Sequence, residues 1–182
     1  MGLDMYLSKK TYVKQWSHNK PEDQFEVSVK RGGEPFEKIE PTRVSYVTEE
    51  LMYWRKANQI HGWFVNNTDE RLEEVSYSVS KEHLDSLLET CKQVLDIINK
   101  SEKGVVQVFG GWKGGEEYKV DVEVYDCVDE ITELLPPTQG FFYGSNEIDD
   151  YYKENVESTI EFLERELPKC TEYDEFEYYA SW

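Results

Sequence analysis

The sequence is poor in positive charge and in histidine. Its 182 residues include 20 Lys and Arg against 38 Asp and Glu, a formal net charge of −18, with only three His. The field around such a chain repels phosphate backbones and anionic lipid, so we expect no nucleic-acid partner and no membrane association. The densest basic group, Lys9, Lys10 and Lys14, is too small to reverse that. Cysteine is scarce as well. Cys91, Cys127 and Cys170 are odd in number and show no CxxC spacing, which argues against a disulfide framework and for reduced thiols in a cytoplasmic setting. His18, His61 and His83 share no metal-ligand spacing, and there is no HExxH or Cys/His cluster, so neither a metal nor a cofactor is expected. No run approaches the roughly eighteen apolar residues of a membrane span. The opening MGLDMYLSKK lacks a basic region followed by an apolar stretch, so we expect no leader. The phosphate-cradling GxxxxGK[ST], a GxGxxG between strand and helix and the GxSxG elbow are all missing.

Aromatic residues are abundant, with thirteen Tyr, eight Phe and five Trp. Rings of this kind bury large areas, and a chain of this length can build a core without staples. We expect one domain over residues 1–182.

The order of elements follows from periodicity. Residues 3–8 and 11–16 are rich in β-formers around Ser8-Lys9-Lys10, which predicts an N-terminal strand that can fold into a hairpin. Phe25, Val27 and Val29 alternate with polar residues, as in a half-buried strand, and a short strand is expected at Val44–Val47. Thr48 followed by Glu49 and Glu50 resembles a helix start, and Tyr53, Ala57, Ile60 and Phe64 would form the apolar face of a helix running to about Asn66. Val75, Tyr77 and Val79 suggest a short strand. Ser80 then caps the clearest helix, with Leu84, Leu87, Leu88, Cys91, Val94, Leu95 and Ile98 at helical spacing. Val105–Phe109 and Tyr118–Tyr125 predict a long hairpin around a glycine-rich tip. In its second strand Val120, Val122 and Val124 would lie on a buried face and Lys119, Asp121 and Glu123 on the other. A short helix is expected over 128–135. The last helix would be capped by Ser145 or Asn146 and stopped by Pro168, and the tail from Glu172 would add an edge strand. The fold class expected is α+β, with about three main helices on a mostly antiparallel sheet.

Chemistry is concentrated in Tyr53–Phe64. Arg55, Lys56 and His61 are a large share of the chain's scarce cationic and imidazole groups, and on one helix Trp54, Asn58 and His61 would share a stripe. Trp54 would supply a stacking wall, and Arg55 and Asn58 polar anchors for a small anionic molecule. His61 would act as general base, its ordinary pKa suiting neutral pH. The simpler reading has Trp54 and His61 in the core, Asn58 satisfying a neighbouring loop and the cations paired with acids. The aromatic loop Gly140–Ser145 with its following helix start is the second candidate, although Glu147, Asp149 and Asp150 would repel a phosphate there.

Three segments in order, Met1–Leu7, Tyr53–Phe64 and Gly140–Ser145 with Glu147, resemble a family of small bacteriophage and prophage proteins of uncharacterised activity. That resemblance implies an accessory protein acting in the cytoplasm of a bacterial host cell, with no catalytic residue to carry over. It directs attention to Asp4, Trp54, Arg55, Asn58, His61, Tyr143, Ser145 and Glu147 as one site. Three functions compete: a small-ligand site, with His61 catalytic and Trp54, Arg55, Asn58, Tyr143, Ser145 and Glu147 binding; an acidic interaction module or inhibitor directed at a host protein; and an assembly component. The first requires a concave pocket where those side chains converge. The second requires a contiguous acidic or aromatic surface instead.

Overall fold

The computed structural model describes residues 2–14, 16–68, 70–73, 76–170 and 174–182. In chain order its strands are Asp4–Tyr12 (β1), Lys30–Arg31 (β2), Glu34–Pro35 (β3), Tyr46–Arg55 (β4), Glu70–Glu73 (β5), Ser76–Val79 (β6), Lys103–Lys113 (β7), Glu116–Tyr125 (β8) and Glu175–Ser181 (β9). The helices are Asn58–Asn67 (α1), Lys81–Lys100 (α2), Val128–Leu134 (α3) and Asp150–Glu166 (α4). A five-stranded sheet runs in the order β4-β1-β9-β6-β5, with every described pairing antiparallel. The fold is therefore α+β.

Strand alternation sorts the sheet into two faces. Met5 and Leu7 of β1, Trp54 of β4 and Phe176, Tyr178 and Ala180 of β9 point into a core completed by the helices. The opposite face carries Tyr53, Tyr6 and Tyr179 on adjacent strands, with ring centroids 5.2 and 6.1 Å apart along the row. α2 presents Leu84, Leu87, Cys91, Val94 and Ile98, and α4 presents Tyr152, Val156, Ile160 and Leu163, to the same core. Ser80 caps α2 as expected. Its Oγ accepts from the His83 N–H at 3.3 Å, and His83 Nδ1 accepts from the Ser80 N–H at 3.1 Å. Burial pushes the Cys91 thiol up to about 12, so it serves as a small apolar residue.

Several expectations change. Ser8-Lys9-Lys10 is not a turn. β1 continues through it, and Lys9 pairs with Glu49 of β4 at 3.1 Å while Lys10 pairs with Glu177 of β9. Thr48 does not start a helix. Residues 46–55 form a strand held against β1, and the helix begins ten residues later at Asn58 with Ala57 as its N-cap. Long-range pairing here overrides a local helical period, as weak propensities allow. Lys56 makes the corner with a φ of 54°. The Phe25–Val29 alternation does not become a strand, and only the two-residue pair of β2 and β3 forms nearby. Asp149 caps α4, its Oδ1 accepting from the Tyr152 N–H at 2.9 Å, in place of Ser145 or Asn146. β9 is the middle strand of the sheet, not an edge. Met1, Val75 and Glu172 lie outside the described residues.

Among the described residues, β7 and β8 pair only with each other, as a separate two-stranded sheet. Its base is fixed by the Tyr125 N–H donating to Ile148 O at 2.8 Å, the Asp126 N–H donating to Glu102 O at 2.9 Å, and Lys103 Nζ lying 2.8 Å from Asp150. Of the three alternating valines in β8, Val124 at the base is buried, while Val122 is half-buried and Val120 is exposed. The face expected to be buried is thus covered only at its root.

Candidate functional site

The turn from β4 into α1 meets the aromatic loop, and the contact is made largely by backbone. Asn58 Nδ2 donates to Ser145 O at 2.7 Å and to Tyr143 O at 3.4 Å, and its Oδ1 accepts from the Thr138 N–H at 3.0 Å. The Leu3 N–H donates to Phe142 O at 3.1 Å, and the Lys56 N–H donates to Leu3 O at 2.7 Å. Gly62 admits the loop against the helix, since a Cβ there would lie 2.0 Å from Thr138 Oγ1. The N-terminal strand, the 53–64 segment and the 140–147 segment do converge. Asn58 acts as a clamp on the loop, with both amide hydrogens and its carbonyl already engaged.

His61 lies on α1, one turn beyond that clamp, and only 5% of it is exposed. Nδ1 is 2.8 Å from the Tyr178 hydroxyl and Nε2 is 3.3 Å from the Tyr143 hydroxyl. Trp182 packs edge-on against both His61 and Tyr143, each at a centroid distance of 5.7 Å. Burial lowers the His61 pKa to about 4, so the ring is neutral near pH 7. A neutral imidazole has one N–H and one lone pair, and the two phenols engage both nitrogens. Burial also raises the Tyr143 and Tyr178 pKa values, so these hydroxyls keep their protons. The arrangement is a neutral Tyr–His–Tyr chain that satisfies a buried hydroxyl. A general base needs a lone pair within reach of a substrate proton, and here each ring nitrogen faces a phenol.

The other expected ligands are dispersed. Trp54 is 2% exposed on the core face of β4, between Phe64 and Phe162, and its Nε1 donates to Thr159 Oγ1 at 2.9 Å. Arg55, next in the strand, points to the opposite face, where its Nη1 is 3.7 Å from Asp4 Oδ1. That carboxylate also accepts from the Tyr53 hydroxyl. Ser145 is exposed and its Oγ accepts from the Glu147 N–H at 3.1 Å, a local turn. Strand alternation, not apparent under a helical reading, is what separates Trp54 from Arg55. Tyr178, Trp182, Thr138 and Thr159, the partners that fix these groups, were not singled out from sequence. The Phe176-Tyr178-Ala180 alternation was the one available signal for Tyr178.

Four surface clefts, of about 350, 510, 460 and 440 Å³, are lined by other parts of the chain, among them Phe25, Val27 and Val44 in one and Leu88 and Leu167 in another. Neither His61, Asn58 nor Tyr143 lines any of them. Among the described residues no group of three His, Cys, Asp or Glu is placed to hold a metal ion, and no helix is long and apolar enough to cross a membrane.

Large apolar side chains are instead presented by the β7–β8 arm. Val105, Phe109 and Trp112 are 64, 58 and 66% exposed on one face of the ribbon, and Tyr118 and Val120 are exposed on the other. An isolated two-stranded ribbon is marginal in water, and clustered exposed rings mark surfaces that meet a partner. Comparison with protein families, with characterised proteins and with solved structures finds no match to this chain.

Proposed function

We propose that this protein is an acidic interaction module that binds a partner protein through the β7–β8 arm. The observation that carries this reading is the exposure of Val105, Phe109 and Trp112 on a ribbon that pairs with no other described strand. Aromatic residues of this kind supply a disproportionate share of binding energy in protein interfaces. The net charge of −18 would steer encounter toward a basic partner and away from anionic surfaces. Resemblance to phage and prophage accessory proteins favours a bacterial host protein as the target and the bacterial cytoplasm as the place. A small anionic ligand is the weaker reading, because Asn58, His61 and Trp54 are engaged by the fold and Arg55 stands beside Asp4.

Native mass spectrometry of the protein purified from bacterial cells tests the choice. The interaction reading expects a heteromeric complex, with no small molecule released on denaturation. A non-covalent mass of a few hundred daltons, lost on denaturation and absent from a His61→Gln variant, would overturn it in favour of the ligand site.

A further inference from the structure

The tip of the arm departs from simple alternation, and the departure re-aims a side chain. In an unbroken strand residues 109 and 112, an odd number apart, would project to opposite faces. The pairing instead slips between Phe109 and Gly111. Phe109 lies opposite Lys119 and Gly111 opposite Tyr118, which leaves Gly110 as the extra residue of a β-bulge. Trp112 is thereby turned onto the face of Phe109, and the two rings meet at 6.1 Å with an interplanar angle of 70°. Glycine is required at both bulge positions for different reasons. Gly111 has a φ of 129°, and a Cβ on Gly110 would lie 2.5 Å from the Tyr118 ring and 2.7 Å from Val120 Cγ1.

We infer that the Gly110–Gly111 bulge builds a two-ring face, Phe109 with Trp112, that inserts into an apolar cleft bordered by Lys and Arg on a partner protein, an inference that rests on the interaction reading above. The surround of the rings selects that partner. Residues opposite one another in an antiparallel pair share a face, which places Glu117 beside Trp112, Asp121 beside Gln107 and Glu123 beside Val105, with Lys119 beside Phe109. Three carboxylates and one nearby ammonium make the border of the patch acidic. Lys103 at the base lies 3.7 Å from Glu123 and is also engaged by Asp150. A second copy of this chain would bring the same acidic border and a further net charge of −18. An anionic membrane or a nucleic acid would meet the same repulsion. An apolar cleft with a basic rim complements both the rings and their border.

The test places the photo-reactive p-benzoylphenylalanine in the full chain in place of Trp112, and in separate chains in place of Tyr53 on the sheet and Glu89 on α2, followed by irradiation in bacterial cells. The expected result is a heterologous adduct from position 112 alone, its cross-linked peptide combining apolar residues with Lys or Arg. The adduct should fall about fivefold or more when Asp121→Lys and Glu123→Lys are added, or when salt is raised from about 50 to about 500 mM with the purified pair. An adduct of twice the chain's mass would overturn the partner class, and so would a yield that charge reversal and salt leave unchanged. Adducts from position 53 and none from position 112 would overturn this inference while leaving an interaction module standing. Adducts from none of the positions would overturn both.

Discussion

β9 and β8 carry the same kind of alternation and meet different surroundings. In β9, Phe176, Tyr178 and Ala180 alternate with Glu175, Glu177 and Tyr179, and all three inward residues are buried. In β8, Val120, Val122 and Val124 alternate with Lys119, Asp121 and Glu123, yet only Val124 is buried. The difference lies in neighbours. β9 has a strand on either side and Phe64 of α1 stacked on Tyr178 at 4.1 Å, whereas β8 has β7 alone among the described strands. Alternation specifies that a strand has two faces. Whether a second layer covers the apolar one is settled by long-range pairing. Phe176 and Tyr178 of the sheet build the fold, whereas Phe109 and Trp112 of the arm, on the face opposite the β8 valines, remain exposed.

The largest effect is expected at Tyr178. Tyr178→Ala removes a fully buried ring and its hydroxyl partner, and urea unfolding should register a loss of about 4 kcal/mol. A loss near that of a surface substitution would mean that the sheet is no better packed than the arm.

Acid should expose the same region. His61 has its pKa lowered by burial from 6.5 to about 4, so as pH falls the unfolded chain takes up this proton before the folded one does. Its contribution is complete above pH 6.5 and is withdrawn as the pH drops toward 4, by about 3 kcal/mol over that window. The difference in stability between the parent chain and His61→Gln, followed by urea titration at several pH values, isolates this from the titration of the many carboxylates. A difference independent of pH would contradict a buried neutral His61.

Asn58→Ala should cost about 2 kcal/mol, because it leaves the Thr138 N–H and the Tyr143 and Ser145 carbonyls without their side-chain partner. Hydrogen exchange at the Thr138 amide should quicken accordingly. At the other end of the scale, Trp112→Ser should alter unfolding free energy by no more than about 0.5 kcal/mol, since its ring is largely in solvent. A larger loss would show the ring to be part of the fold and weaken its assignment to binding.

Much of the architecture was legible where local pattern and final environment agree. Ser80 and the Leu84–Ile98 stripe of α2, the stop of the last helix near Pro168 and the glycine-tipped hairpin are all read from the sequence. The failures cluster where a distant segment decides. Residues 49–55 fit a helix in isolation but belong to the strand paired with β1, and the tail becomes the central strand because β1 and β6 flank it. The site suffered most from the first of these. Under a helical reading Trp54, Asn58 and His61 share one stripe, whereas the strand places Trp54 in the core and Arg55 outside. Whether the 53–64 and 140–147 segments meet is not readable from spacing either, because the contact joins Asn58 to groups 80 to 87 residues away. That Asn58 clamps carbonyls and that His61 faces two phenols depended on partners about 80 to 117 residues away in sequence, which no local spacing encodes.

On the proposal above, the buried polar chain holds the fold and the arm binds the partner. Affinity purification from bacterial cells of the tagged parent chain, of a Phe109→Ser/Trp112→Ser double variant and of His61→Gln, each checked for folding by circular dichroism, compares the two regions directly. A stoichiometric partner should remain with the parent and with His61→Gln and fall by about tenfold or more with the arm variant. Retention by the arm variant together with loss from folded His61→Gln would contradict it.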